Sequence, residues 1–285
     1  MKKVLVTGSS GFIGKEFIKI ISRDRSSEIY QVSRTKHGTK GEYVGDLTDK
    51  DFVELISETR FDEIFHFAWQ GLPVRNEEES NKNLTLSKNL VLALLKKSSH
   101  AQFNILGSCL EYGEQVGAVS DNTKPEGKDP FALAKIELHS FMEDTGAGYR
   151  WLRPFYVYGK EQRQTSLIPH LIQSFSKGNL VKLNSYSNSH DFINVHDLAK
   201  AIWIASKSDK FGPINIGTGV LTSVGEIVEK FSEHFQLDSQ ITHEKKLGLF
   251  SESGILRNEL DWQPEFTGIE GMLKYYFDDS RIDGQ

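Results

Sequence analysis

The stretch "TGSSGFIG", Thr7 to Gly14, follows the apolar run "KKVLVT" and leads into Phe12, Ile13, Phe17, Ile20 and Ile21, spaced at near-helical intervals. The run has the profile of a buried strand and the periodic segment that of an amphipathic helix. A strand, a glycine turn and a helix therefore open the chain. In such a turn Gly8 permits the tight bend, Gly11 lets a diphosphate approach the backbone, and Gly14 lets the helix pack closely on the strand. The helix N-terminus, with Ser10, Phe12 and Ile13 around it, offers free N–H groups and a positive dipole end to phosphates. The reading is a dinucleotide-binding turn; a glycine-rich turn without function is the alternative.

Working outward, strands fit "EIYQVSR", "GEYVGD", "FDEIFHFAW", "QFNILGS" and "YRWLRPFYVYG". Helices fit "DKDFVELISETR", "NLTLSKNLVLALLKKSS" and the segment containing Phe131. Strands alternating with helices at this pace imply a parallel sheet covered on both faces. Past residue 155 the rhythm loosens, with helices near 165–176, 196–207 and 222–236. The expected architecture is α/β, a Rossmann-type doubly wound parallel sheet with a smaller C-terminal lobe. Residues 1–160 with returning segments near 191–218 would form the first domain, and 161–190 with 219–285 the lobe.

The 285 residues carry a net charge of -5 and no long basic run, which argues against a nucleic-acid partner. The single cysteine, Cys109, leaves no intrachain disulfide and makes a cysteine-based zinc site improbable. Nine histidines are scattered without a His-x-x-x-His helix, so no metal site is expected. The first apolar run is too short for a secretion signal and no later run approaches a membrane span, so a cytoplasmic protein is expected.

The end of the second strand sets the cofactor's flavour. An acidic residue there would accept hydrogen bonds from the adenosine ribose and repel a 2′-phosphate. Here the strand ends Val32-Ser33-Arg34, with Lys36 beyond. A hydroxyl followed by a guanidinium suits a phosphate dianion, which favours NADP(H) over NAD(H). Solvated loop charges are the plain alternative. Asp46, followed by Leu47, either reaches the adenine edge or caps a turn.

Together these segments resemble the extended short-chain dehydrogenase/reductase family, in its nucleotide-sugar branch of epimerases, dehydratases and 4-keto reductases, over nearly the whole length. "HFAW" sits where the family has His-x-Ala-Ala, which brings Phe67, Ala68 and Trp69 beside the cofactor, and the resemblance also brings Asn83, near the start of the next helix, to the cofactor. "GSCLEYG" makes Ser108 the counterpart of the catalytic Ser/Thr. "DPFALAK" matches the Tyr-x-x-x-Lys segment with Lys135 in place, but Phe131 stands where the tyrosine is expected. "RPFYVYG" brings Pro154 to the cofactor and Tyr156 to a substrate-contacting position, where its hydroxyl is also a candidate to replace the missing phenol. "HDFINVHDLAKAI" is similar to an Arg-Asp-Phe stretch, with His190 replacing the arginine. Lys160, Arg163 and Arg257 are the candidate cations for a diphosphate, and Trp69 also fits a pocket wall.

The resemblance implies that Ser108 bonds the reacting sugar oxygen and that Lys135 binds the nicotinamide ribose and tunes the neighbouring acid. It also implies a homodimer through a four-helix bundle and a nucleotide-diphosphate sugar as the substrate. Dehydratases carry an Asp-Glu pair after the Ser/Thr; Cys109 and Leu110 stand there, so dehydration is not expected. An epimerising cysteine would align with Leu110, so Cys109 reads as a small packed residue. His66 reads as a packed histidine and His170 as a helix-surface one. Four readings stay open: a 4-keto reductase or 4-dehydrogenase, a 4-epimerase, a non-catalytic sensor, and an engineered Tyr-to-Phe form of an active enzyme.

Overall fold

The computed structural model describes residues 1–239, 241 and 244–278; the tail beyond 278, read above as part of the lobe, lies outside them. Its strands are β1 Lys2–Thr7, β2 Ser27–Ser33, β3 Glu42–Val44, β4 Glu63–His66, β5 Gln102–Leu106, β6 Gly117–Val119, β7 Tyr149–Pro154, β8 Tyr156–Tyr158, β9 Ser189–Asn194, β10 Gly212–Ile216, β11 Leu221–Ser223 and β12 Leu249–Ser251. Its helices are α1 Phe12–Ile21, α2 Lys50–Ser57, α3 Glu77–Leu95, α4 Pro130–Thr145, α5 Leu167–Phe175, α6 Val195–Ser206, α7 Val224–His234 and α8 Gly268–Phe277. No helix among the described residues is long and apolar enough to cross a membrane.

Seven strands form one sheet in the order β10-β7-β5-β4-β1-β2-β3. β1 pairs in parallel with both β2 and β4, and β5 with β4 and β7. The chain steps outward from β1 to β3, then returns to β4 on the other side. Loops after β1 and β4 therefore diverge, and the crevice at their C-terminal ends is where doubly wound folds hold ligands. Thr7 and His66, the last residues of those strands, are register partners there.

Alternate residues explain the two covered faces. Leu5, Ile64, Phe103 and Ile105 join a buried cluster with Phe52, Leu90, Leu94, Leu138 and Met142 from α2, α3 and α4. On the other face Phe17 of α1 meets Phe65 at 4.5 Å and Trp203 of α6 at 6.3 Å.

The chain divides into two compact units: Met1–Glu114, Asn122–Arg153 and Ala199–Ile214 form one, and Gln115–Asp121, Pro154–Leu198 and the chain from Asn215 the other. The second unit has its own core of Tyr158, Ile168, Leu171, Phe175, Ile227, Phe231 and Met272. Asp191 staples it: one carboxylate oxygen accepts from Thr218 N (2.8 Å) and Oγ1 (2.6 Å), the other from Gly219 N (2.9 Å) and Ser251 N (3.0 Å).

Two elements differ from the sequence expectation. The segment "YRWLRPFYVYG" is two strands in different sheets, β7 and β8. Pro154, which has no N–H to donate, ends the first ladder, and Phe155 N turns to Ile216 O at 3.0 Å. Helix α3 begins at Glu77, six residues before the apolar period that marks it, because Asn76 caps it by accepting from Glu79 N at 2.9 Å. Glu77, Glu78 and Glu79 fill its first turn, where negative charge complements the dipole.

Candidate active site

The glycine turn leaves β1 with Gly8 at φ +69°, and a Cβ there would lie 2.7 Å from Ala68 N. At Gly14 a Cβ would lie 2.1 Å from the Gly8 carbonyl oxygen, so only glycine lets α1 pack onto the turn. Gly11 N donates to Gly8 O at 2.9 Å, and Gly11 caps α1 without a side-chain acceptor for the first-turn N–H groups. Ser9 fastens the turn to β2 by donating to Val32 O at 3.1 Å, beside the partly exposed Ser10. Close backbone approach, positive φ and a helix start without a side-chain cap are what a diphosphate requires. The residues present fit a dinucleotide. Phe12 and Ile13, in the first turn of α1, bring the N–H groups that would face it.

Buried polar chains fix the loop after β4. Thr7 Oγ1 lies 2.7 Å from His66 Nδ1, and His66 Nε2 lies 2.9 Å from Ser87 Oγ on α3. Burial, with the Lys135 charge adding, pulls His66 down to about 3, so it bridges as a neutral imidazole. Asn83 grips the backbone of Gln70: its Oδ1 accepts from Gln70 N (2.7 Å) and its Nδ2 donates to Gln70 O (3.1 Å) and Glu79 O (2.7 Å). Gln70 Nε2 in turn donates to Asp46 Oδ1 at 3.2 Å. The amide of Asn83 is therefore spent on holding the Phe67–Gln70 loop. The Phe67 ring packs edge-on to Phe17 at 5.1 Å, and Leu47 packs against the main core, so both side chains serve the fold. The Asp46 carboxyl is held below its usual range, chiefly by the Thr48 N–H, with Gln70 and the Arg34 charge adding.

At the end of β2, Ser33 is buried and its hydroxyl donates to Thr35 O, whereas Arg34 is exposed. Ser33 therefore has no hydroxyl proton left for a phosphate, and the exposed Arg34 and Lys36 remain to meet one.

Ser108 caps a short 3-10 turn, Cys109–Tyr112, after β5. Its Oγ accepts from Leu110 N at 3.1 Å while Glu111 Oε1 accepts from Ser108 N at 2.7 Å. Glu111 is fully buried and also accepts from Trp151 Nε1 (3.0 Å) and Arg153 Nε (2.8 Å). A Cβ on Gly107 would sit 2.4 Å from the Trp151 Nε1, so the glycine makes room for this network. Neither Glu111 nor Gln70 figured in the sequence reading. The Ser-x-x-Glu spacing of a capping box was the available signal for Glu111.

Lys135 and Phe131 share one face of α4, which starts at Asp129 (its Oδ1 accepts from Phe131 N at 3.0 Å) and Pro130. Lys135 Nζ donates to Leu106 O at 2.7 Å, two residues before Ser108. The same Nζ lies 3.7 Å from the Trp69 ring centroid and 5.8 Å from that of Phe131. Trp69 and Phe131 meet edge to face at 5.4 Å. Burial pulls the amine down to about 7, with the Glu111 charge pushing it back up.

In the second unit, Pro154 is buried and Tyr156 stacks on His190 with centroids 4.0 Å apart. Arg257 donates to Thr218 O and lies against the 217–219 loop, while the exposed Lys160 reaches over the Tyr275 ring at 5.6 Å. Arg163 is exposed. Tyr156 and His190 are thus brought together; Lys160 and Arg257 are held by different partners.

Comparison with known proteins adds to this geometry. A GDP-6-deoxy-D-talose 4-dehydrogenase of Aggregatibacter actinomycetemcomitans is 26% identical over 290 residues, covering 95% of this chain and 96% of that protein. A dTDP-6-deoxy-L-talose 4-dehydrogenase (NAD(+)) from the same organism is 24% identical, covering 81% and 90%. Among solved structures, a tyrosine-to-phenylalanine mutant of a UDP-glucuronic acid 4-epimerase from Bacillus cereus, in complex with UDP-4-deoxy-4-fluoro-glucuronic acid and NAD, superposes with a TM-score of 0.80 at 19% identity, over 97% of this chain and 98% of that one. The family model described as the NAD dependent epimerase/dehydratase family matches residues 4–217, which carry the glycine turn, Ser108 and Lys135 together, and the chain belongs to that family.

Proposed function

We propose that this chain is an NAD(P)-dependent oxidoreductase acting on C4 of a nucleotide-diphosphate sugar, as a 4-keto reductase or 4-dehydrogenase. The observation that carries the reading is the attachment of Lys135 to Leu106 O, which ties the amine to the strand end that presents Ser108. The two 4-dehydrogenases that this chain resembles over most of its length support C4 as the reacting carbon. The glycine turn would hold the cofactor's diphosphate, and the Phe67–Gln70 loop, braced by Asn83 and His66, would line its path. When bound, the nicotinamide exchanges a hydride with the sugar carbon.

Ser108 polarises the C4 oxygen through its hydroxyl, whose oxygen is already oriented by the Leu110 N–H. Phe131 moves no proton. That an epimerase of this fold was crystallised with NAD and a nucleotide sugar supports binding of both by this chain. NADP(H) is favoured through Arg34, with Lys36 beyond it. Tyr156, His190, Lys160, Arg163 and Arg257 are proposed to receive the nucleotide sugar, and α3 and α4 to pair with those of a second copy as a homodimer.

A thermal-shift panel of GDP-, dTDP-, CDP- and UDP-sugars with NADPH and NADH tests the reading. At least one nucleotide sugar should raise Tm at millimolar concentration and support cofactor turnover; no shift with any of them would remove it. Turnover without added cofactor would instead indicate a 4-epimerase.

A further inference from the structure

We propose that the ε-amine of Lys135 is itself the acid that delivers the proton to the C4 oxygen in reduction, and the base that removes it in oxidation. The inference rests on the oxidoreductase reading and supplies the proton that Phe131 lacks.

An ammonium has three N–H bonds. One goes to Leu106 O at 2.7 Å, and the indole face of Trp69, 3.7 Å from Nζ, receives the charge on another side. No carboxylate pairs with Lys135 among the described residues, so the third N–H has no protein acceptor. The residue is only 5% exposed, and Trp69 and Phe131 form two apolar walls beside it. The indole ring of Trp69 stacks over the amine on one side.

The charges facing the amine are few. From β4, His66 is neutral because burial pulls it down to about 3. From the turn after β5, Glu111 is the opposing charge, and Arg153 and Trp151 already occupy its carboxylate. Burial wins over Glu111 and leaves the amine titrating at about 7, within the range where a general acid and its conjugate base are both available. An unburied lysine, near 10.4, would stay almost wholly protonated at neutral pH and leave almost no free amine to act as the base in oxidation.

In reduction, the C4 carbonyl carbon accepts a hydride from the reduced nicotinamide while its oxygen takes a proton from Nζ. The O–H bond forms, the N–H bond breaks, and its electron pair stays on a neutral amine. The sugar is reduced and the cofactor oxidised by two electrons; solvent reprotonates the amine. Oxidation runs the same path backward from the neutral amine.

The deciding experiment follows the Cε carbon of Lys135 by NMR in ¹³C-lysine protein saturated with NADPH or NADH, assigned by its loss in Lys135→Met. One lysine titrating with a midpoint between about 6.5 and 8 is expected, against the ordinary value near 10.4. A Lys135 midpoint above 9 would overturn the proposal. The titration needs no sugar, so a failure of the nucleotide-sugar reading leaves it legible. With substrate, the reduction rate should fall as pH rises through that same midpoint. Lys135→Ala should lose about 10²–10⁴-fold in turnover while still binding cofactor, and added methylamine should restore part of it. Failure of methylamine to restore turnover in a variant that binds cofactor would also overturn it, as would a Tyr156→Phe variant as inert as Lys135→Ala. If Lys135→Met does not fold, the presence or absence of a single lysine titrating near 7 in the unmodified protein decides alone.

Discussion

The glycine turn after β1 and the aromatic box around Lys135 are both built at the C-terminal ends of one sheet, yet they are specified in opposite ways. The turn is made of backbone: Gly8 and Gly14 are there because a Cβ would strike Ala68 N or the Gly8 carbonyl. The box is made of side chains, and its two walls are the rings of Trp69 and Phe131. A backbone cradle tolerates no substitution but implies little about chemistry. A side-chain box tolerates many, and each changes what the amine can do.

The steepest test of that contrast is Gly14→Val. The branched side chain would have to displace the Gly8 carbonyl, so calorimetry should find no dinucleotide binding and melting should show a loss of about 1–3 kcal/mol or more. Tight binding by this variant would break the view that the cradle is backbone-limited. Asn83→Ala comes next. It leaves the partly buried N–H and C=O of Gln70 without their Asn83 partner, at roughly 1 kcal/mol, and should raise the cofactor Kd with little change in the chemical step.

The third test uses pH. Unfolded His66 takes a proton below about 6.5, whereas the folded imidazole resists until about 3. Stability should therefore fall as pH drops through that window, by up to about 1.4 kcal/mol per pH unit from this one group. Urea melts from pH 7 to 4 measure the slope, and His66→Gln should flatten it by one proton. An unchanged slope would mean that His66 is protonated in the fold.

The smallest effect is at Arg34, the exposed guanidinium on which the cofactor preference chiefly rests. Arg34→Ala should weaken NADP(H) by about tenfold, roughly 1.4 kcal/mol, and leave NAD(H) unchanged. An equal loss for both would reassign Arg34 to holding Asp46.

How much of this was legible before the structure follows the same division. The parallel sheet and the glycine turn were readable, because apolar periodicity and glycine spacing report backbone demands directly, whereas Ser108 and Lys135 were singled out by the resemblance alone. The early start of α3 was missed because its first turn is acidic and polar, and the break between β7 and β8 because Pro154 sits inside an apolar run. Asn83 was read as touching the cofactor, and its grip on Gln70 was not visible, since the partner is backbone 13 positions away. Trp69 and Phe131 were each singled out in the sequence, one as a pocket wall and one in the tyrosine's place, but their joint enclosure of Lys135 was not legible. They lie 62 positions apart in the numbering and meet only once β4 and α4 are folded.

The measurement that bears most directly on the central claim follows deuterium. The protein is incubated with cofactor deuterated at the nicotinamide C4 and with nucleotide-diphosphate 4-keto-6-deoxysugars, and the products are analysed by mass spectrometry. The oxidoreductase reading predicts one deuterium at C4 of the sugar, matched by an equivalent of oxidised cofactor. Saturating cofactor and nucleotide sugar with no deuterium transferred, in either this chain or Phe131→Tyr, would contradict it and leave a binding protein.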